Sequence, residues 1–398
     1  MRRNWQRPAL TLLICKSKIL IDRKRFLILK LAVREIFKMS AEILFASSSY
    51  TRYDADVTLP AKFGRLLDKT DLRARVNGKL TAIKMHLGRE IGFTTIHPIF
   101  VKILVDKLKE YGAEVYITDQ TIFEAGVRGY REEYLGCKIV DVCGATEKYF
   151  YEHDVDYKDF KNCDVGGHIQ DADFMIDLSH VKGHGSCGFG GACKNLAMGA
   201  VTTRTRHQIH HLEGGLHWDA EKCVHCDLCI KSCNHNANRF NSAGKYSVNF
   251  HHCTYCQHCT KVCPTGAVIM DDDCFEDFQT GMALATKTVL DTFDPGNVYY
   301  INFLMNITAL CDCWGLSTPA LVPDIGIMAS DDIVAVERAS IDAIKVENLL
   351  SNGIPKGMQL GTEGHLLERL HGKNPFIQLD KLESYGLGTQ EYTIKETF

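Results

Sequence analysis

Two runs of cysteine constrain this chain more than any other feature. Cys223, Cys226, Cys229 and Cys233 are followed thirty residues later by Cys253, Cys256, Cys259 and Cys263, at identical spacing and with Pro264 after the second run. Four cysteines within eleven residues, given twice, are too dense for a pair of zinc ribbons, which use separated Cys-x2-Cys knuckles. In this arrangement the first three cysteines of a run clasp one 4Fe–4S cube and the fourth crosses to the other cube. The spacing therefore assigns Cys223, Cys226, Cys229 and Cys263 to one cluster and Cys253, Cys256, Cys259 and Cys233 to a second. Short spacers also let backbone N–H groups face the sulfurs. Asn234 stands where the second run has Pro264, a change that leaves the ligands intact.

The pattern resembles bacterial two-cluster ferredoxins. The chain has 17 cysteines in 398 residues, an odd number and too few for a disulfide scaffold, which points to metal ligation in a reducing compartment. Hydrophobic residues make up 45% and charged residues 24%, the balance of a globular protein. The net charge of −3 hides a segregation. Residues 1–38 hold eleven Lys or Arg against Asp22 and Glu35, a local +9 that leaves −12 for the rest. Three readings compete for this leader. Its apolar stretch is short for a secretory signal; a basic amphipathic membrane helix is the second reading; the preferred one is an over-extended reading frame with the true start at Met39. No run of eighteen apolar residues occurs, so no transmembrane segment is expected and the protein reads as cytoplasmic. The acidic remainder argues against a nucleic-acid partner and suits a basic docking protein.

From Met39 onward strand-like and helix-like segments alternate. Ile43–Ser47, Leu80–Leu87, Glu114–Asp119, Phe174–Ser179, Asn297–Asn306 and Asp324–Ala329 read as strands. Helices are expected around Pro60–Asp68, over Pro98–Tyr111 and Phe275–Phe293, and from Ser330-Asp331-Asp332 through Ile344. This alternation predicts an α/β fold with a mostly parallel sheet. The pattern breaks near Thr205 and resumes near Phe275. The expected organisation is thus a leader (1–38), a discontinuous α/β domain (39–205 and 275–398), and an inserted two-cluster ferredoxin-like α+β module (206–274).

A second candidate site follows the strand at Phe174–Ser179. The segment from Ser179 to Gly199 holds Lys182, His184 and Lys194 among Gly185, Gly188, Gly190 and Gly191, with a helix start expected after Gly191. Glycines let backbone amides approach a ligand, and a helix N-terminus attracts an anion. Lys182, His184 and Lys194 are therefore candidate catalytic residues, and Gly188, Gly190, Gly191 and Asn195 candidate substrate-binding residues; the competing reading is a tight turn with solvated charges. Cys311-Asp312-Cys313-Trp314 follows a later strand, where two cysteines at i and i+2 could bind metal, form a redox pair or pack in the core. His207, His210 and His211 have helical spacing but read as solvated. His97-Pro98 and Thr118-Asp119 lie near element ends.

Lys84-Met85-His86-Leu87-Gly88, Lys182-Gly183-His184, the segment Gly190–Gly199, Cys311-Asp312-Cys313 and Asp324-Ile325-Gly326-Ile327 together resemble the ferredoxin-fused iron–sulfur proteins of an uncharacterised family, domain of unknown function 362. The resemblance spans about residues 40–395 and implies a redox role. The expected function is a ferredoxin-type reductase that takes low-potential electrons from a partner protein and delivers them to an anionic small molecule at the glycine-rich loop, with His184 as proton donor. The alternatives are a non-catalytic electron-transfer subunit and a metal- or cofactor-handling protein using Cys311 and Cys313. No Gly-x-Gly-x-x-Gly fingerprint opens an early strand–helix turn, and a flavin is left open because many flavin sites carry no short motif.

Overall fold

The computed structural model describes residues 40–397, apart from 234, 251, 254–256, 272–274, 316 and 355–357. The leader, Cys256 and Cys274 lie outside the described residues.

Eight strands form one large sheet: β1 (Ala41–Ser47), β2 (Leu80–Met85), β3 (Glu114–Asp119), β4 (Lys138–Asp141), β5 (Phe174–His180), β6 (Val298–Leu304), β7 (Gly326–Ser330) and β8 (Tyr392–Glu396). Their order is β8-β1-β7-β6-β5-β2-β3-β4. All run the same way except β7, which lies antiparallel to both β1 and β6. The chain is therefore a mixed α/β protein with a large, mostly parallel sheet. β5, at the centre, is buried along its whole length, as a parallel strand covered on both faces must be.

Side chains alternate between the two faces with the strand period of two. Ile83, Phe174, Ile176, Leu178, Ile301 and Phe303 pack on one side beneath α1 (Leu59–Asp68) and α2 (Pro98–Glu110). Ala82, Met175 and Tyr300 face α3 (Ala192–Gly199), α4 (Glu276–Asp291) and α5 (Ile333–Ala343) on the other. Pro at the first turns of α1 and α2 supplies a preset φ where no N–H is needed. Asp332 begins α5 by accepting the Ala335 N–H at 3.0 Å. His97 caps α2 in the same way, its ring nitrogen accepting from Ile99 N–H at 3.3 Å, so its place at an element end is structural.

The fold also holds elements that the alternation did not predict. β8 adds an edge strand beside β1. A hairpin of Phe150–Tyr157 and Phe160–Gly166 stands apart from the sheet. Its first strand alternates exposed with half-buried residues, a weak apolar signal. Between the helix Thr203–His211 and α4, two short strand pairs (Leu216–Trp218 with Val268–Met270, Asn238–Phe240 with Tyr246–Val248) surround a separate apolar cluster of Cys229, Tyr246, Cys259 and Val268. Among the described residues no helix is long and apolar enough to cross a membrane.

Candidate functional site

The strand order turns about β2 and β5: β3 and β4 lie to one side and β6 to the other. In a parallel sheet the carboxyl ends of the strands at such a point open a crevice. Here that crevice is filled with buried charge. Lys84 on β2 and Asp177 on β5 are register partners. Lys84 Nζ lies 3.1 Å from Asp119 Oδ1 and donates to Asn195 Oδ1 at 2.6 Å. The Asn195 amide donates to Asp177 Oδ1 at 2.7 Å. Burial pushes the Asp177 carboxyl up to about 6, partly offset by bonds from Ser179 and Asn195. Burial also pushes on Asp119, but Lys84 and His86 outweigh it and hold that carboxyl below its usual range. Gly199 makes this packing possible, since a Cβ there would come within 2.3 Å of Lys84 Nζ.

A short antiparallel hairpin, Lys182–His184 with Gly188–Gly190, follows β5 and carries the next layer. His180 Nδ1 lies 2.7 Å from Asp312 Oδ2, and Lys182 Nζ 3.5 Å from the same oxygen. Despite burial, His180 and Lys182 hold the Asp312 carboxyl below its usual range. Asp312 belongs to a single 3-10 turn, Asp312–Trp314, entered from Cys311. Lys194 Nζ, reaching from α3, donates to Cys311 Sγ at 3.2 Å. His184, Cys311 and Cys313 each place a ligand atom within 4.8 Å of the others, a group able to hold a metal ion. Burial opposes ionisation of Cys311, but a hydrogen bond from Cys313 and the charges of Lys194 and Lys182 pull its thiol far below the usual value. The bond to Cys311, and then burial, push Cys313 up. The turn thus favours ionisation of Cys311 over Cys313, with the Lys194 ammonium against the Cys311 sulfur. Burial pushes the His184 ring down from its usual value.

The structure brings Lys182, His184, Lys194, Cys311 and Cys313 together. It places the glycine-rich positions differently from an open phosphate cradle. The N–H groups of Ala192 and Cys193, at the start of α3, donate to the Glu337 carboxylate at 2.6 and 3.3 Å. The acidic group at this helix N-terminus is the protein's own Glu337. Gly191 has no room for a Cβ because Glu337 Oε1 would lie 2.1 Å away, and Gly188, at φ +75°, backs onto the Lys373 carbonyl. Gly190 is buried on the same hairpin, and the Asn195 amide is engaged on both sides by Lys84 and Asp177. His207 and His211 are exposed, and His210 pairs with Glu213 at 2.5 Å.

The cysteine runs line two cavities. Cys223, Cys226, Cys229 and Cys263 line one; Cys233, Cys253 and Cys259 line the other. The runs repeat in backbone as well as spacing. Asp227 and Gln257, two residues before Cys229 and Cys259, share a left-handed conformation at φ +59° and +61°. Cys233 Sγ accepts from Ala237 N–H at 3.3 Å, and Cys263 Sγ from Ala267 N–H at 3.2 Å. All described cysteines are free of disulfides.

Two contacts join this segment to the buried polar group. The His252 ring stacks on Trp314 with centroids 5.1 Å apart and planes 15° from parallel. His252 is the neighbour of Cys253, and Trp314 of Cys313. The buried Lys373 Nζ donates to the Phe250 carbonyl at 2.9 Å and to the Cys253 carbonyl. Sequence reasoning missed Lys373, Glu337 and Asp177, which lie in stretches without a motif.

A family model described as Domain of unknown function (DUF362) matches residues 81–342. The chain belongs to that family. The DUF362 span runs from β2 into α5, so it takes in both the buried polar group and the cysteine runs and leaves β1, β8 and Lys373 outside. A stretch of 70 residues is 30% identical to NAD(P)H-quinone oxidoreductase subunit I of Gloeobacter violaceus, covering 15% of this chain and 34% of that protein. The chain thus spans about a third of that relative's length. The lactate racemase apoprotein from Thermoanaerobacterium thermosaccharolyticum has a TM-score of 0.33 at 13% identity, covering 61% of this chain and 48% of that one. A protein from Thermotoga maritima has a TM-score of 0.34 at 14% identity, covering 63% and 52%.

Proposed function

We propose that this DUF362 protein is an iron–sulfur reductase, in which an inserted two-cluster module at residues 206–274 serves a substrate chamber formed by Lys182, His184, Lys194, Cys311 and Cys313. The observation that carries the reading is the His252–Trp314 stack, which brings a cluster-ligand segment into ring contact with the chamber turn.

The donor set fits the cofactor. Four soft thiols ring one cavity and three described thiols ring the other, and backbone N–H groups point at the sulfurs. Two 4Fe–4S clusters bound there would each supply one electron at a time at low potential. The protein's own residues give the route a direction. Cys226 is exposed and Val224 beside it is 63% exposed, so the first cavity is the docking side for an electron-donor protein. The second cavity is the inner one, tied to the core by Lys373.

In the chamber, Lys182 and Lys194 bind the anionic group of a small organic substrate. The Gly188–Gly191 stretch brings the hairpin and α3 close enough for that, while its helix amides are already committed to Glu337. Asp312 holds Lys182 and His180 in place. The sequence reading made His184 the proton donor; in the proposal its ring stands with the Cys311 and Cys313 sulfurs at the reacting end of the chamber.

Anoxic reconstitution tests the reading. About eight iron atoms per chain are expected, and Cys229→Ser and Cys259→Ser should each lose about half. Reduced protein should be reoxidised by a small organic acid, and Lys194→Met should slow that step by tenfold or more. A specific observation favours a second reading, an electron-transfer subunit: the apolar exposure of Val224, Leu228 and Val262 around the outer cavity. Reoxidation only by another protein, indifferent to Lys194→Met, would decide for it.

A further inference from the structure

We infer that His184, Cys311 and Cys313 form a third metal centre, binding one divalent ion of the zinc class with an open coordination position beside Lys194.

The three ligand atoms come from two distant segments yet converge within 4.8 Å of one another. The 3-10 turn does half of the work. Cys311 enters it and its sulfur accepts the Cys313 N–H at 3.5 Å, which puts both sulfurs of the Cys-x-Cys unit on one side. The hairpin does the rest. Gly183, the residue before His184, packs against the Ala309 carbonyl and the His371 ring, where a Cβ would lie 2.4 and 2.8 Å away, so the hairpin strand can approach the turn. His371 itself is fixed to the Ala309 carbonyl at 2.8 Å. Two thiolates and one imidazole are the donor set of a zinc-class ion.

The surroundings suit a catalytic rather than a structural ion. Structural sites close with four protein ligands, whereas catalytic sites keep three and leave one position open. Among the described residues no fourth His, Cys, Asp or Glu joins this group. Lys194 Nζ stands 3.2 Å from the Cys311 sulfur, so an anion taking the open position would meet both the ion and an ammonium group. Cys187 Sγ lies 3.4 Å from His184 Nδ1 and orients the ring. The centre is chemically distinct from the cysteine runs, because it mixes nitrogen with sulfur.

The role of the open position rests on the proposed substrate chamber, but the ion itself does not. X-ray absorption at the zinc edge on full-length, cluster-loaded protein is expected to show two sulfurs at about 2.3 Å and one nitrogen at about 2.0–2.1 Å. Cobalt(II), added as a probe to the same protein after zinc removal, should bind once per chain with thiolate charge-transfer and tetrahedral absorption. Cys311→Ser, Cys313→Ser and His184→Ala should each weaken cobalt binding by tenfold or more while iron content and cluster absorption stay unchanged. Acetate should perturb the cobalt spectrum of the wild type and not that of Lys194→Met. A zinc edge showing four sulfurs, no cobalt binding in cluster-loaded protein, or a Cys311–Cys313 disulfide in mass spectra of alkylated protein would overturn the inference. Cobalt binding that Cys311→Ser abolishes, in protein that never takes up iron, would instead support this centre and remove the two-cluster reading.

Discussion

The Cys311–Cys313 turn and the cysteine runs both gather thiols, but they balance sulfur charge by opposite means. In the turn the counter-charge is a side chain: Lys194 sits against Cys311, with Lys182 behind it, in a buried setting where such pairing is strong. In the runs, backbone N–H groups of Ala237 and Ala267 face the sulfurs, in a segment whose cysteines range from buried to exposed. A region stabilised by amide dipoles can be small and self-contained. A region stabilised by lysines needs a large apolar body to hold them, and the sheet with its two helical layers provides it.

The largest expected effect separates the two regions outright. Among the described residues of 216–270 four are buried in an apolar cluster, Cys229, Tyr246, Cys259 and Val268, with half-buried neighbours such as Trp218 and Phe240 against them; removing iron from reconstituted protein should therefore abolish the segment's hydrogen-exchange protection while β2–β6 stay protected. Simultaneous loss in both would break the distinction. Next, Lys84→Met leaves Asp119 buried without its cation and should cost about 3–5 kcal/mol in anoxic denaturant unfolding. A cost under 1 kcal/mol would mean that the crevice charges are solvated.

Glu337 gives a pH signature to the sheet region alone. Burial pushes its carboxyl up to about 7 from an ordinary 4.5, so the folded state binds the proton more tightly than the unfolded state. The associated stability is therefore fully present below pH 4.5 and is lost as pH rises through 7, by about 3 kcal/mol. Glu337→Gln, which keeps an oxygen for the Ala192 N–H, should flatten that slope. An unchanged slope would assign it to other groups. The smallest expected effect sharpens the link between the regions. Trp314→Leu removes the stack on His252, worth about 0.5–1.5 kcal/mol, and should speed exchange near residues 250–253 without changing the sheet.

Much of the sheet was legible because each strand advertises itself locally. Glu114–Asp119 is the same in sequence and structure, and the helix expected after Gly191 begins at Ala192. The direction of β7 was not legible, since a short apolar strand reads alike either way. At the candidate site, Lys182, Lys194 and the Cys-x-Cys unit were visible as motifs. Their partners were not: Glu337 lies 145 residues from Ala192, and Lys373 lies 120 from Cys253. A lone Lys or Glu in an apolar stretch gives no sign of what it will meet across the fold.

The position of β1 bears on how the chain is made. Its two partners are β7 and β8, so during synthesis it leaves the ribosome long before either exists. The four strands β2–β5, by contrast, have all emerged by residue 180. A strand with both edges open through most of translation is a template for stray pairing. Residues 41–47 can find their sheet partners only after the last quarter of the sequence has been made.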